Sequence, residues 1–145
     1  MPDFKNEINY FLTETFNNIL AFEQKQIAKS AKHLTINDVH IIEQIGPEGN
    51  KKMTDIAENM GITLATMTAA ADRLERKGCI KRERSTADRR IVLLSLTRDG
   101  MITYKLHHRF HMRMVDKIVE GLNSAELQLL SKMLSKLNSF FKDES

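Results

Sequence analysis

His107 and His111 stand four residues apart, a spacing that puts two imidazoles on one face of a helix, one turn above the other. Two such rings can hold Zn²⁺, which takes nitrogen and carboxylate ligands in a tetrahedron. His108 lies beside the pair and His40 in a separate segment. A carboxylate from the first helix, Glu23, would be needed to complete a set of Glu23, His40, His107 and His111. Histidine pairs on helices also serve packing and hydrogen bonding, so spacing alone leaves their chemistry open. A second chemistry is concentrated in KGCIKRERSTADRRIVLLSLT, residues 77–97, where two strand-like stretches flank a basic turn. Between Asp72 and Arg90 the basic residues outnumber the acidic ones by four, more than the net charge of +3 for the whole chain. Such a local excess attracts phosphate, or else is a solvated loop.

Enzyme chemistry finds little support. The chain has no glycine-rich phosphate loop, no nucleophile elbow and no placed Cys–His pair. The single cysteine, Cys79, cannot form an intramolecular disulfide. It falls on an expected strand among basic neighbours that could lower its pKa, which makes a thiol sensor conceivable. At 145 residues the chain has the size of one domain. Its opening, MPDFKNEINYF, is too polar for a signal peptide and no apolar run is long enough to span a bilayer. The expectation is a cytoplasmic protein with no membrane partner.

The elements that must position these residues are mostly helical. Residues 4 to about 29 read as one long helix, with Phe4, Ile8, Leu12, Ile19 and Phe22 at helical spacing and Phe11 and Phe16 widening the stripe. Residues 34–46 read as a second, capped by Thr35 with Asp38 three residues on, and PEGN follows as a turn. Residues 53–78 hold two helices joined at Gly61: Thr54 is expected to cap the first and Thr63 the second. A hairpin follows, CIKRER and IVLLSL around STADRR. Thr97 then caps a fifth helix to about Gly121, and Asn123 with Glu126 opens a last one. The last carries a seam of Leu127, Leu130, Leu134, Leu137 and Phe141.

The pair at 53–78 has the spacing of a helix-turn-helix. Ala57 is small at the crossing, Gly61 makes the turn, and Met67 points back inward. That leaves Leu64, Ala65, Thr66, Thr68, Ala69 and Asp72 along the face that would meet a major groove. A basic hairpin directly after the second helix is the winged variant, whose tip arginines can enter a narrow minor groove. The fold class expected is mainly α with a small β-hairpin wing. The candidate DNA-contacting residues are Thr54, Thr63, Ala65, Thr66, Thr68, Ala69 and Arg73, then Arg82, Arg84, Ser85, Asp88, Arg89 and Arg90.

The stretch DIAENMGITLATMTAAADRLERKGCIKRERSTADRRIVLLSLTRDG resembles the core of the MarR family of winged-helix repressors, in LERKG, in the DRR of the wing and in LSLTRDG. The resemblance covers essentially the whole chain. It implies a single domain over 1–145, with a DNA-binding lobe at 34–97 and dimerisation helices at 1–30 and 98–145, working as a homodimer on double-stranded DNA. It also implies that Asp88 braces Arg90 and that Arg90 is the minor-groove arginine, with Thr63, Ala65, Thr66 and Thr68 reading bases or gripping phosphates. Ala69 departs from the arginine often found mid-helix in that family, which shifts readout toward hydroxyls and thymine methyl contacts.

FNNIL, IEQIG, LERKGCIKRERS and LHHRFHMRMVDKIVEGL are similar to the fatty-acid-synthesis repressor branch of that family (FabT-type). That likeness implies long-chain acyl-acyl carrier protein as corepressor, bound among Phe16, Phe22, His40, Leu106, His107, Phe110, His111 and Met114. The histidine positions also resemble the ligands of zinc-uptake repressors in the family, and a zinc-responsive repressor is the alternative. A reading of another class, a helical protein-interaction module without DNA, uses the same helices.

Overall fold

The computed structural model describes residues 3–31 and 33–144. Among them no helix is long and apolar enough to cross a membrane. The chain divides into two compact units, Met1–His107 and His108–Ser145. The division falls inside the sixth helix rather than at Thr97, because the first turns of that helix belong to the lobe's packing: Gly100 and His107 are buried, and Tyr104 packs against the core.

In the first unit the expected long N-terminal helix is interrupted. Helix α1 (Phe4–Tyr10) runs into a π-helical turn, Phe11–Thr15, before α2 (Phe16–Ser30). Thr13 donates its hydroxyl back to the Asn9 carbonyl at 3.0 Å, a bond that competes with the helical ladder at this point. The wide turn re-phases the side chains, so the stripe read from Phe4 to Phe22 does not continue on one face. Only Glu23 and Ile27 of these helices are buried.

Helix α3 (Ile36–Ile45) begins as expected. Thr35 accepts from the Asp38 N–H and Asp38 reaches back to the Thr35 N–H, a complete capping box. Val39, Ile41, Ile42 and Ile45 then enter the core. A short strand, β1 (Lys51–Lys52), follows, and nothing in the local pattern marked it; it exists because it pairs antiparallel with β3. Helix α4 (Met53–Asn59) starts two residues earlier than expected, with Lys52 at the cap position and no side-chain cap bond. Thr54 therefore lies within the first turn and does not cap the helix.

Helix α5 (Leu64–Arg76) is capped by Thr63, whose hydroxyl accepts from the Thr66 N–H at 3.1 Å. Gly61 between the two helices has φ +64°, the conformation the turn requires. Ile56, Ala57, Met67, Ala70, Ala71 and Leu74 are buried in the same core as the α3 residues, and Met60 is partly buried, as the spacing predicts. Strands β2 (Ile80–Arg84) and β3 (Val92–Leu96) form the hairpin, giving a three-stranded antiparallel sheet in the order β1-β3-β2. Arg82 faces Leu94 across the ladder, and Leu94 is fully buried.

Helix α6 (Arg98–Val119) is capped by Thr97, whose hydroxyl accepts from the Gly100 N–H and donates to the Gly78 carbonyl. A Cβ at Gly100 would run into the Cys79 carbonyl oxygen. Gly100→Ala is therefore expected to force α6 away from the start of β2 and to cost about 1–3 kcal/mol, read as a lower urea midpoint at unchanged slope.

In the second unit α7 (Ser124–Asp143) begins with the expected capping box between Asn123 and Glu126. No residue of α7 is buried. Val119, Leu127, Leu130 and Leu134 line an open groove of ≈ 490 Å³ together with Ser131, Ser135 and Asn138. The apolar seam is present but has no cover within this unit.

Candidate nucleic-acid interface

Helix α5 turns one stripe outward. Leu64, Ala65, Thr66 and Ala69 are exposed, and Thr68 and Asp72 are half-buried beside them. The threonine hydroxyls are ordered by the helix itself: Thr63 Oγ1 donates to Thr66 Oγ1 at 2.9 Å, and Thr68 Oγ1 donates to the Leu64 carbonyl at 2.8 Å. The Thr66 hydroxyl keeps its own proton available. Thr68 keeps acceptor lone pairs. Small methyl-bearing side chains with directed hydroxyls suit thymine-rich edges better than guanine.

The wing turn is built by Ser85 and Asp88. The Ser85 N–H donates to the Ile91 carbonyl at 2.9 Å and the Ile91 N–H to the Asp88 carbonyl at 3.0 Å, while the Ser85 hydroxyl accepts from the Ala87 N–H. Arg90 donates from Nε and Nη2 to the two Asp88 oxygens at 3.1 and 2.9 Å, and its N–H adds a third bond to Asp88. Its side chain remains 90% exposed. The brace therefore orients the guanidinium without burying it, in the arrangement the sequence implied. Arg84 donates to the Arg89 carbonyl at 2.8 Å and stiffens the loop. Arg89 and Arg76 are exposed and enter no ion pair among the described residues. Arg76, in the last turn of α5, is absent from the sequence-based set; its place four residues after Asp72 was the available signal.

Two arginines are committed inward. Arg73 donates from Nε and Nη2 to Asp38 Oδ1 at 3.1 and 2.7 Å, and Lys77 donates to Asp38 Oδ2 at 2.8 Å. Asp38 has no exposed surface. Burial works to raise its pKa, yet the bonds from Lys77, the Thr35 N–H and Arg73 outweigh it and hold the carboxyl below its ordinary value. Arg73 thus serves to fasten α5 to α3, and a groove contact would have to share it with Asp38. Arg82 is likewise drawn to Asp72 and Glu75 of α5, at 2.6 and 3.1 Å. Cys79 does not fit a sensor: it is buried, and burial first, then Asp99 and Asp38, push its thiol pKa up, opposite to the lowering its basic neighbours suggested.

His40 and His107 come together elsewhere in the first unit. His107 Nε2 lies 2.8 Å from Glu23 Oε1 and 3.2 Å from Glu43 Oε1, and His40 Nε2 lies 3.1 Å from the same Glu23 oxygen. His40, Glu43 and His107 each present a ligand atom within 4.8 Å of the others. Glu43 was missed by sequence; its position three residues after His40 on α3 placed it on the same face. His111 lies one turn beyond His107 and meets Phe110 edge-on at 5.4 Å. Of the apolar effector candidates, Phe16, Phe22 and Leu106 are exposed, and Phe110 and Met114 are partly buried.

Residues 34–92 match the MarR family. The chain is 37% identical to FabT of Streptococcus pneumoniae, whose crystal structure was solved in complex with DNA; the likeness covers 97% of this chain and 99% of that one, with a TM-score of 0.90. It is 31% identical to the uncharacterised HTH-type transcriptional regulator YfiV of Bacillus subtilis (strain 168) over 72% of this chain, and spans 66% of that protein's length. It is 29% identical to the transcriptional regulator ZitR of Lactococcus lactis subsp. cremoris (strain MG1363), over 94% of this chain and 97% of that one.

Proposed function

This chain belongs to the MarR family, and we propose that it is a DNA-binding transcriptional repressor, not an enzyme, that occludes a pseudo-palindromic promoter site as a homodimer. The observation that carries this is the pairing of an outward α5 stripe with an exposed, pre-oriented Arg90 at the wing tip. The uncovered seam of α7 supports the second copy. Two α5 helices would then address successive major grooves about 34 Å apart.

The regulated genes we take to be those of fatty-acid synthesis, with long-chain acyl-acyl carrier protein as corepressor. The support is the likeness to FabT over nearly the whole chain, together with exposed apolar side chains at Phe16, Phe22 and Leu106 that DNA binding does not require. An acyl chain acts as corepressor only if it binds the DNA-competent spacing of the two lobes more tightly than the other spacing.

A second reading rests on the cluster of Glu23, His40 and His107. Two imidazole nitrogens and a carboxylate are the donors zinc prefers, and donors about 3.4 Å apart are what a tetrahedral site with bonds near 2.1 Å requires. The observed separations of 2.8 and 3.1 Å from the Glu23 oxygen are close to that. Zinc held there would tie α2 and α3 to α6.

One experiment separates the readings. DNA fragments selected by the protein from its source genome are titrated with metal-free protein, with zinc, and with acyl carrier protein loaded or unloaded. The expected outcome is at least a tenfold gain in affinity from the long-chain acyl form alone. A gain from zinc that disappears in a His40→Ala/His107→Ala variant would transfer the assignment to the metal reading. No DNA recovered above a no-protein control would end both.

A further inference from the structure

Arg82 lies on β2 with its guanidinium turned toward α5 instead of the wing tip. Its Nη2 is 2.6 Å from Asp72 Oδ1 and 3.1 Å from Glu75 Oε1, and its main-chain N–H donates to Glu75 Oε2 at 3.2 Å. Glu75 thus binds backbone and side chain of the same residue, which fixes the strand's angle to the helix. Asp72 shares the outward stripe with Ala65, Thr68 and Ala69, seven, four and three residues before it. Its side chain is 48% exposed. An uncompensated carboxylate there would face the phosphates of any duplex seated on α5.

Resting on the DNA-binding reading above, we propose that Arg82 promotes duplex binding as a clamp that cancels Asp72 and Glu75 and holds the wing against α5, and not as a contact to phosphate. Arg82 brings one positive charge and the two carboxylates two negative. With the clamp closed the group carries −1; with Arg82 gone it carries −2, directly beside the groove-facing stripe. Swinging the guanidinium out to a phosphate would trade two ion pairs for one and expose both acids to the polyanion. Like charges brought together across an interface weaken binding and raise its sensitivity to salt. Arg82 is therefore a positioning residue, whereas Arg90, with its side chain in solvent, is the contact.

The test is a set of fluorescence-anisotropy titrations of the full chain against a labelled mixed-sequence duplex a few turns long, at several salt concentrations. Arg82→Ala is expected to weaken binding about tenfold, from like-charge repulsion. Adding Asp72→Asn and Glu75→Gln to it should restore affinity to within about threefold of wild type with the wild-type salt slope. A triple variant as weak as Arg82→Ala, with a slope shallower by about 0.9, is the signature of a lost phosphate contact and overturns the clamp. Arg82→Lys serves if the alanine variant fails to fold. Lysine keeps the charge but cannot bridge both carboxylates, so weakened binding supports the clamp and wild-type affinity refutes it. Wild-type protein that shows no salt-dependent binding fails the DNA-binding reading itself and removes the clamp with it.

Discussion

Arg90→Ala is expected to lower affinity for duplex DNA by about 10- to 100-fold, from the roughly 1–3 kcal/mol that an arginine contact in a groove supplies. The fold should be untouched. The Arg90 side chain is 90% exposed and its only ion-pair partner among the described residues is Asp88, so no core packing is lost with it. The size of the effect comes from pre-orientation: two bonds to Asp88 hold the guanidinium before DNA arrives, and less rotamer freedom is lost on docking. Asp88→Ala should give a smaller loss, since the charge remains and only its aim is released. Both variants are compared with wild type by anisotropy at several salt concentrations, beside thermal melts. Unchanged affinity for Arg90→Ala would take Arg90 off the interface.

The second large effect concerns stability. Asp38→Ala is expected to cost about 3–5 kcal/mol, the range for removing one partner of a buried ion pair. The carboxylate has no exposed surface and answers Arg73, Lys77 and the Thr35 N–H together. Its removal strands two cations at the back of α5 and opens the capping box of α3. Because Arg73 and Lys77 keep side-chain exposures of 40% and 24%, water recovers part of the loss, which places the value at the low end of that range. The pH dependence follows from the depressed folded-state pKa of Asp38. Its stabilisation is whole above the unfolded value near 3.9 and is lost as pH falls through the lower folded-state value. Urea midpoints of wild type should therefore drop below about pH 4 more steeply than those of Asp38→Ala. Parallel pH profiles for the two proteins would show that Asp38 is not the group responsible.

The same residue shows where reading from sequence stops. Thr35 and Asp38 are three apart, and a capping box is a contact within one turn, so it was legible. That Asp38 also holds Arg73, thirty-five residues away, was not, and Arg73 read as a DNA-contacting residue on a recognition helix. Arg82 read as a DNA contact in the same way, and only the packing of β2 on α5 sets it against Asp72 and Glu75. Strand β1 had no signal at all, because two lysines become a strand only when β3 lies alongside. The histidine spacing paired His107 with His111 and named Glu23 as the carboxylate, while the meeting of His40 and His107 on one Glu23 oxygen follows from how the helices pack.

Periodicity, caps and glycines established the helices, the helix-turn-helix and the wing from the chain alone, since each depends on residues within a few positions of one another. The basic wing belongs to that class; the Asp88–Arg90 brace, two residues apart in one turn, came from the family resemblance and is present in the fold. The tertiary structure allotted the charges: Arg73 to the buried Asp38, Arg82 to Asp72 and Glu75 on α5, Arg90 to the solvent face where DNA would lie. That allotment escapes any local pattern because an ion pair is settled by distance in space, and the helix and strand packing that sets those distances is built from contacts far apart in the chain.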